Sequence, residues 1–174
     1  MKLSYLWRGT PGHPIHPPLT DATIGAFTFS TIAAVLSALG VAEEQFADGW
    51  WLALVVGLVA AAPTAATGWI DFFTISERTP LRRTALTHGL TMVAANVVFG
   101  LAAILGHGAY ADGEVTTLPF LLTLAGFGLL TAGGTFGGSI TYVHGMRVLD
   151  LPDEPAKRAL SPLAEEEKRR AEGS

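Results

Sequence analysis

With no cysteine among its 174 residues, the chain has five histidines as its best candidates for chemistry. Two of them open the sequence in Gly12-His13-Pro14-Ile15-His16-Pro17-Pro18, three positions apart. Pro14, Pro17 and Pro18 disfavour a helix there and predict a stiff, extended, turn-prone segment. The lack of thiols excludes disulfides, thiolate metal centres and cysteine-held iron–sulfur clusters, but leaves imidazole ligation of haem or of Zn, Fe or Cu. Nothing reads as a phosphate-binding loop or a Ser-His-Asp set.

The elements that must position these imidazoles are apolar runs. The composition is 49% apolar and only 15% charged, with 20 glycines and a mean hydropathy of +0.40. Soluble domains carry about 25% charged residues, so the deficit points to lipid. Four spans are expected, at about 20–41, 50–71, 84–106 and 118–144, each long enough for a hydrocarbon core of about 30 Å. Pro63 predicts a kink in the second. Trp50 and Trp51 fall where an interfacial aromatic belt belongs. Ahead of the spans lies a His-Pro segment, 1–19, without the apolar stretch of a cleavable signal. After them comes a charged tail, 150–174.

Charge segregation gives the topology. Under four spans, Lys2, Arg8, Arg78, Arg82, Arg83, Arg147, Lys157, Arg158, Lys168, Arg169 and Arg170 share one side, while the two opposite loops carry only acids. The positive-inside rule places both termini in the cytoplasm and the chain in the cell (inner) membrane. The expected fold is an all-α integral membrane four-helix bundle. Its basic loops are orientation signals and imply no nucleic-acid partner; its immediate partner is the lipid bilayer.

This topology sorts the histidines. His13, His16, His88 and His144 gather at the cytoplasmic end with Asp71, and His107 reads as an interfacial loop residue on the other side. Helical spacing puts His144 on a strip with Thr141, Gly137 and Gly133. The small-xxx-small pairs Gly133/Gly137 and Gly134/Gly138 read first as helix packing, within the bundle or equally against another copy of the chain, and second as a groove for a flat macrocycle with His144 as axial ligand. Asn96, near mid-membrane, is expected to bond to another helix. Asp71 either faces Arg78 or Arg82 or orients a histidine, and Asp21 suits a helix N-terminus.

Three functions fit these residues. One is a haem b-binding electron-transfer subunit with His88 and His144 as the favoured axial pair. In it, His13 and His16 are alternative ligands or bond the propionates with Arg82, Arg83 or Arg147. Another is a non-haem Zn, Fe or Cu site built from His13, His16, His88 and His144 with Asp71. The third is a structural membrane anchor. No independent enzymatic activity is indicated.

His13-Pro14-Ile15-His16-Pro17, Gly68-Trp69-Ile70-Asp71, Arg82/Arg83 with His88 and Asn96, the Gly133-Gly134 and Gly137-Gly138 pairs, and Tyr142-Val143-His144-Gly145 follow in order. In this the chain resembles the membrane family called domain of unknown function 2231, over about residues 12–149. The resemblance implies a four-span fold. Some members are joined to Rieske-type iron–sulfur domains, which implies a separate redox protein partner here, because this chain has no cysteine of its own.

Overall fold

The apolar runs fold into long helices in a computed structural model, which describes residues 3–10, 12–149 and 153. A short helix, α1 (Tyr5–Arg8), leads into a small antiparallel hairpin, β1 (Gly9–Thr10) and β2 (His13–Pro14), with Gly9 opposite Pro14. Four long helices follow: α2 (His16–Ala38), α3 (Glu43–Phe72), α4 (Pro80–Ala111) and α5 (Thr117–Gly138). A π-helical turn, Ser139–Val143, extends the last of them. All four are long and apolar enough to cross a membrane. The tail expected from 150 lies outside the described residues, Asp153 excepted.

Helix ends follow local chemistry. α2 begins at His16, inside the stretch whose prolines predicted extended chain. Pro17 and Pro18 occupy its first turn, where a fixed φ suits the helix and a missing N–H leaves no bond unmade. α3 carries Glu43 and Glu44 in its first turn, beside the positive end of the helix dipole, and runs unbroken through Pro63. Thr79 caps α4 by accepting the Arg82 N–H, with Pro80 at the first helical position.

α2 and α4 end in the same way. The Gly40 N–H bonds to Ser37 O and the Val41 N–H to Leu36 O; likewise Gly113 bonds to Tyr110 and Glu114 to Ala109. Each glycine holds a positive φ, 73° and 77°, which completes a Schellman motif. This likeness extends through the bundle. The buried residues of α4, Ala95, Phe99, Ala102, Ala103 and Gly106, lie 72 positions beyond buried Thr23, Phe27, Ser30, Thr31 and Ala34 of α2. Those of α5, Pro119, Thr123, Gly126, Leu130 and Gly133, lie 69 positions beyond Trp50, Leu54, Gly57, Ala61 and Thr64 of α3. The chain is therefore two helical hairpins, α2–α3 and α4–α5, packed by the same pattern and running in the same direction. An approximate two-fold axis lies between them, along the bundle.

Equivalent residues meet on that axis. Phe27 and Phe99 stack with centroids 4.0 Å apart and planes 9° apart. Each ring also covers a glycine of its own hairpin, Phe27 on Gly57 and Phe99 on Gly126. Trp50 breaks the symmetry: its indole covers Gly106 and its Nε1 donates to Thr123 Oγ1 at 3.0 Å, joining the two hairpins.

Candidate functional site

Eleven residues before the phenylalanines, the same axis passes between two histidines. His16 is the first residue of α2, and His88 is its equivalent in α4, 72 positions on. Each imidazole lies on a glycine of its hairpin partner. A Cβ on Gly68 would come within 2.8 Å of His16 Cε1, and one on Gly137 within 3.1 Å of His88 Cε1. Each Nδ1 bonds to the helix carbonyl one turn before that glycine, His16 to Thr64 O at 3.0 Å and His88 to Gly133 O at 2.8 Å. A carbonyl oxygen only accepts, so both Nδ1 atoms carry a proton, and in the neutral imidazole each Nε2 keeps its lone pair. The ring centroids are 6.5 Å apart, at 83° to one another. Thr67 Oγ1, 3.2 Å from His16 Nδ1, is a further acceptor that His88 lacks.

Both rings line a cavity of about 480 Å³, walled by all four long helices. Apolar side chains such as Trp69, Met92 and Ile140 form most of its wall, and Asp71 and Arg147 stand at its mouth. Asp71 is buried, and its Oδ1 accepts from Arg8 Nε at 3.0 Å and Arg147 Nη1 at 2.8 Å. Arg147 Nη2 also donates to Arg8 O at 2.6 Å, tying the N-terminal segment across the mouth. A third guanidinium, that of Arg82, donates to Ile75 O and lies 4.5 Å above the Phe72 ring; both residues line the cavity.

The expected axial partner of His88, His144, is directed elsewhere. The His144 N–H bonds to Ser139 O, five residues back, so the π turn moves His144 off the strip with Gly137 and Gly133. Its Nε2 lies 3.1 Å from Thr84 Oγ1, and the residue is absent from the cavity wall. His13 is exposed on β2, and His107, near the end of α4, is exposed with its ring against Trp51. Among the described residues, no three of His, Asp and Glu group closely enough to hold a metal ion by themselves. The four-histidine set with Asp71 is therefore not assembled as one shell.

Three other expectations also change. Asp71 takes Arg8 and Arg147 in place of Arg78, Arg82 or a histidine, because the N-terminal segment folds back over the bundle end. Asn96 bonds within its own helix, Nδ2 to Met92 O at 2.8 Å, and its Oδ1 is buried without a partner among the described residues. Gly133 and Gly137 face inward, onto Met92 and His88, whereas Gly134 meets open space and Gly138 only Tyr142.

The family model described as Predicted membrane protein (DUF2231) matches residues 12–150. The chain belongs to that family. No curated protein and no solved structure matches it. In this DUF2231 protein the match covers both hairpins and both imidazoles. Sequence reasoning missed the pairing of His16 with His88 and the glycine seat under each. The signal was present as equal spacing: His16 to Phe27 repeats as His88 to Phe99, and Gly57 to Gly68 as Gly126 to Gly137.

Proposed function

We propose that the chain is a membrane electron-transfer subunit that holds haem b between His16 and His88. The observation that carries this reading is the matched pair of imidazoles, each with Nδ1 locked onto a helix carbonyl, 6.5 Å apart across the axis. Two metal–nitrogen bonds of about 2.0 Å, plus the distance of about 1.1 Å from each ring centre to its nitrogen, amount to about 6.3 Å. The 6.5 Å between the rings is close to the separation two imidazoles would take on either side of a single metal atom. The protein supplies two imidazole nitrogens there, and no third His, Asp or Glu groups with them among the described residues. A macrocycle brings its own four nitrogens, whereas a bare Zn, Fe or Cu ion would lack ligands. The cavity volume is in the range of cofactor pockets. Bound haem supplies one-electron chemistry. His16 and His88 would fix its position, their carbonyl bonds hold each ring in one orientation, and the apolar wall would limit water at the centre.

The cavity end is the basic end of the bundle, with Arg8, Arg78, Arg82, Arg83 and Arg147, while the far loops carry Glu43, Glu44, Asp48, Asp112 and Glu114. This bias supports a cytoplasmic mouth in the cell membrane, with a separate redox protein as the electron partner. The test is a reduced-minus-oxidised spectrum of the detergent-purified protein, expressed with added haem. A Soret band with sharp α and β bands is expected, lost in His16→Ala and in His88→Ala and kept in His144→Ala. A colourless protein, or a band that survives loss of His16, overturns the assignment; a colourless protein that loses stability on histidine replacement leaves the chain as a structural anchor.

A further inference from the structure

Two guanidiniums at the cavity mouth share a single carboxylate oxygen. Arg8 and Arg147 both end on Asp71 Oδ1, and their side chains are only 30% and 19% exposed. Arg147 and Asp71 line the cavity, while Arg8 reaches it through Asp71 and Arg82 touches the lining residues Phe72 and Ile75. Among the described residues, three guanidiniums therefore lie in or against this part of the wall beside a single carboxylate that lines it. Partly buried cations in excess favour an incoming anion, and the forked geometry of arginine suits a carboxylate. Below the mouth the wall is apolar, with His16 and His88 on opposite hairpins. A ligand complementary to the whole cavity is an amphiphile: an apolar planar body inside and acidic groups at the rim.

We infer that Arg8 and Arg147 form a carboxylate-recognising mouth for the cavity, and that Asp71 stands in for the ligand's carboxylates until the ligand arrives. This deepens the cofactor assignment and rests on it for the identity of the planar body. It gives the N-terminal hairpin a second task. Arg147 Nη2 bonds to the Arg8 and Gly9 carbonyls, so the residue that receives the ligand's acid also holds the strap, whose Pro14 lines the cavity. Gly9 is needed in that strap, since its φ is 73° and a Cβ there would run into His13 O.

Iron-free protoporphyrin IX tests the mouth separately from the histidines. Its binding to the full chain in phosphatidylcholine nanodiscs is followed by fluorescence and compared with that of its dimethyl ester. The free acid is expected to bind at least about tenfold more tightly than the ester, the scale of one charge-assisted bond. Arg147→Ala and Arg8→Ala should reduce the free acid to the level of the ester and leave the ester unchanged. Asp71→Asn removes the competing carboxylate and should tighten free-acid binding, an opposite sign that a misfolded mouth would not give. Equal affinity of acid and ester overturns the inference. So does an advantage of the acid over the ester that survives Arg147→Ala, because the selectivity would then come from the bilayer or from another group. Neither outcome depends on iron, so a missing Soret band condemns the cofactor assignment alone.

Discussion

Phe99 holds in the second hairpin the place that Phe27 holds in the first, and the two rings stack on the axis that relates them, 4.0 Å apart. Both are fully buried, and each covers a glycine of its own hairpin. The contact joins the hairpins at mid-bundle and sets the spacing at which the histidines, three helical turns away, confront each other.

Replacing either ring should therefore destabilise the bundle strongly. Phe27→Ala empties a fully buried site and is expected to cost about 3–5 kcal/mol. Phe27→Leu, which keeps most of the volume, should cost less. Thermal unfolding in detergent, followed by circular dichroism, measures the difference; equal melting temperatures for the alanine variant and the parent would contradict a closed core at the axis.

The glycine seats should be tested as a pair. A methyl at Gly68 would stand 2.8 Å from His16 Cε1, and one at Gly137 would stand 3.1 Å from His88 Cε1. Gly68→Ala is expected to displace His16 and to abolish or shift the cofactor spectrum, with Gly137→Ala milder because its contact is longer. Gly134→Ala, whose Cβ meets open space, is the control and should leave the spectrum as it was.

Trp50 offers a polar test of the same core. Its Nε1–H donates to Thr123 Oγ1, and Thr123 in turn donates to Pro119 O at 2.8 Å. Trp50→Phe removes the donor but leaves Thr123 its own bond, so a loss of about 1–3 kcal/mol is expected, from the bond and the lost ring volume together. Thr123→Val would strand the indole N–H in an apolar core and should cost at least as much. A double-mutant cycle read by melting temperature gives the coupling between the two.

Orientation can be read with single cysteines, since the native chain has none. Ser76→Cys lies in the loop between α3 and α4, at the cavity end, and Asp112→Cys lies at the opposite end. In intact cells a membrane-impermeant maleimide should label the cysteine at 112 and spare the one at 76 until the membrane is opened. The reverse pattern would invert the topology drawn from the arginines.

The four helices were legible in the sequence because lipid imposes long apolar runs and charge ends them; Glu43, Asp112 and the arginines mark the turns without any knowledge of packing. The site was less legible, for three physical reasons. Pro17 and Pro18 read as helix breakers, although a first turn accommodates them, so the sequence pattern hides that His16 starts the helix that presents it. The π turn at Ser139–Val143 is invisible to a count in threes and fours, so His144 was drawn into a groove that belongs to His88. The repeat itself is thin. His16 and His88, Phe27 and Phe99, Gly57 and Gly126, and Gly68 and Gly137 are identical pairs, but most of the equivalent core positions differ, as Trp50 and Pro119 do. Close packing conserves which positions are buried and not which residues fill them. Arg8 was legible as a charge and not as a partner of Asp71, because 63 positions separate them and only the returning strap brings them together.

The duplicated hairpins also dictate an order of manufacture. The first hairpin needs nothing beyond Phe72 for its own contacts, His16 on Thr64 and Phe27 on Gly57. Its inner face then presents one imidazole and one aromatic ring to the bilayer, with nothing opposite. The second hairpin closes by its own short-range contacts and only then meets the first. The chamber between the histidines thus comes into being only when the hairpins dock, and the Arg147 clasp, supplied by a residue that follows both hairpins, can be fastened only after that.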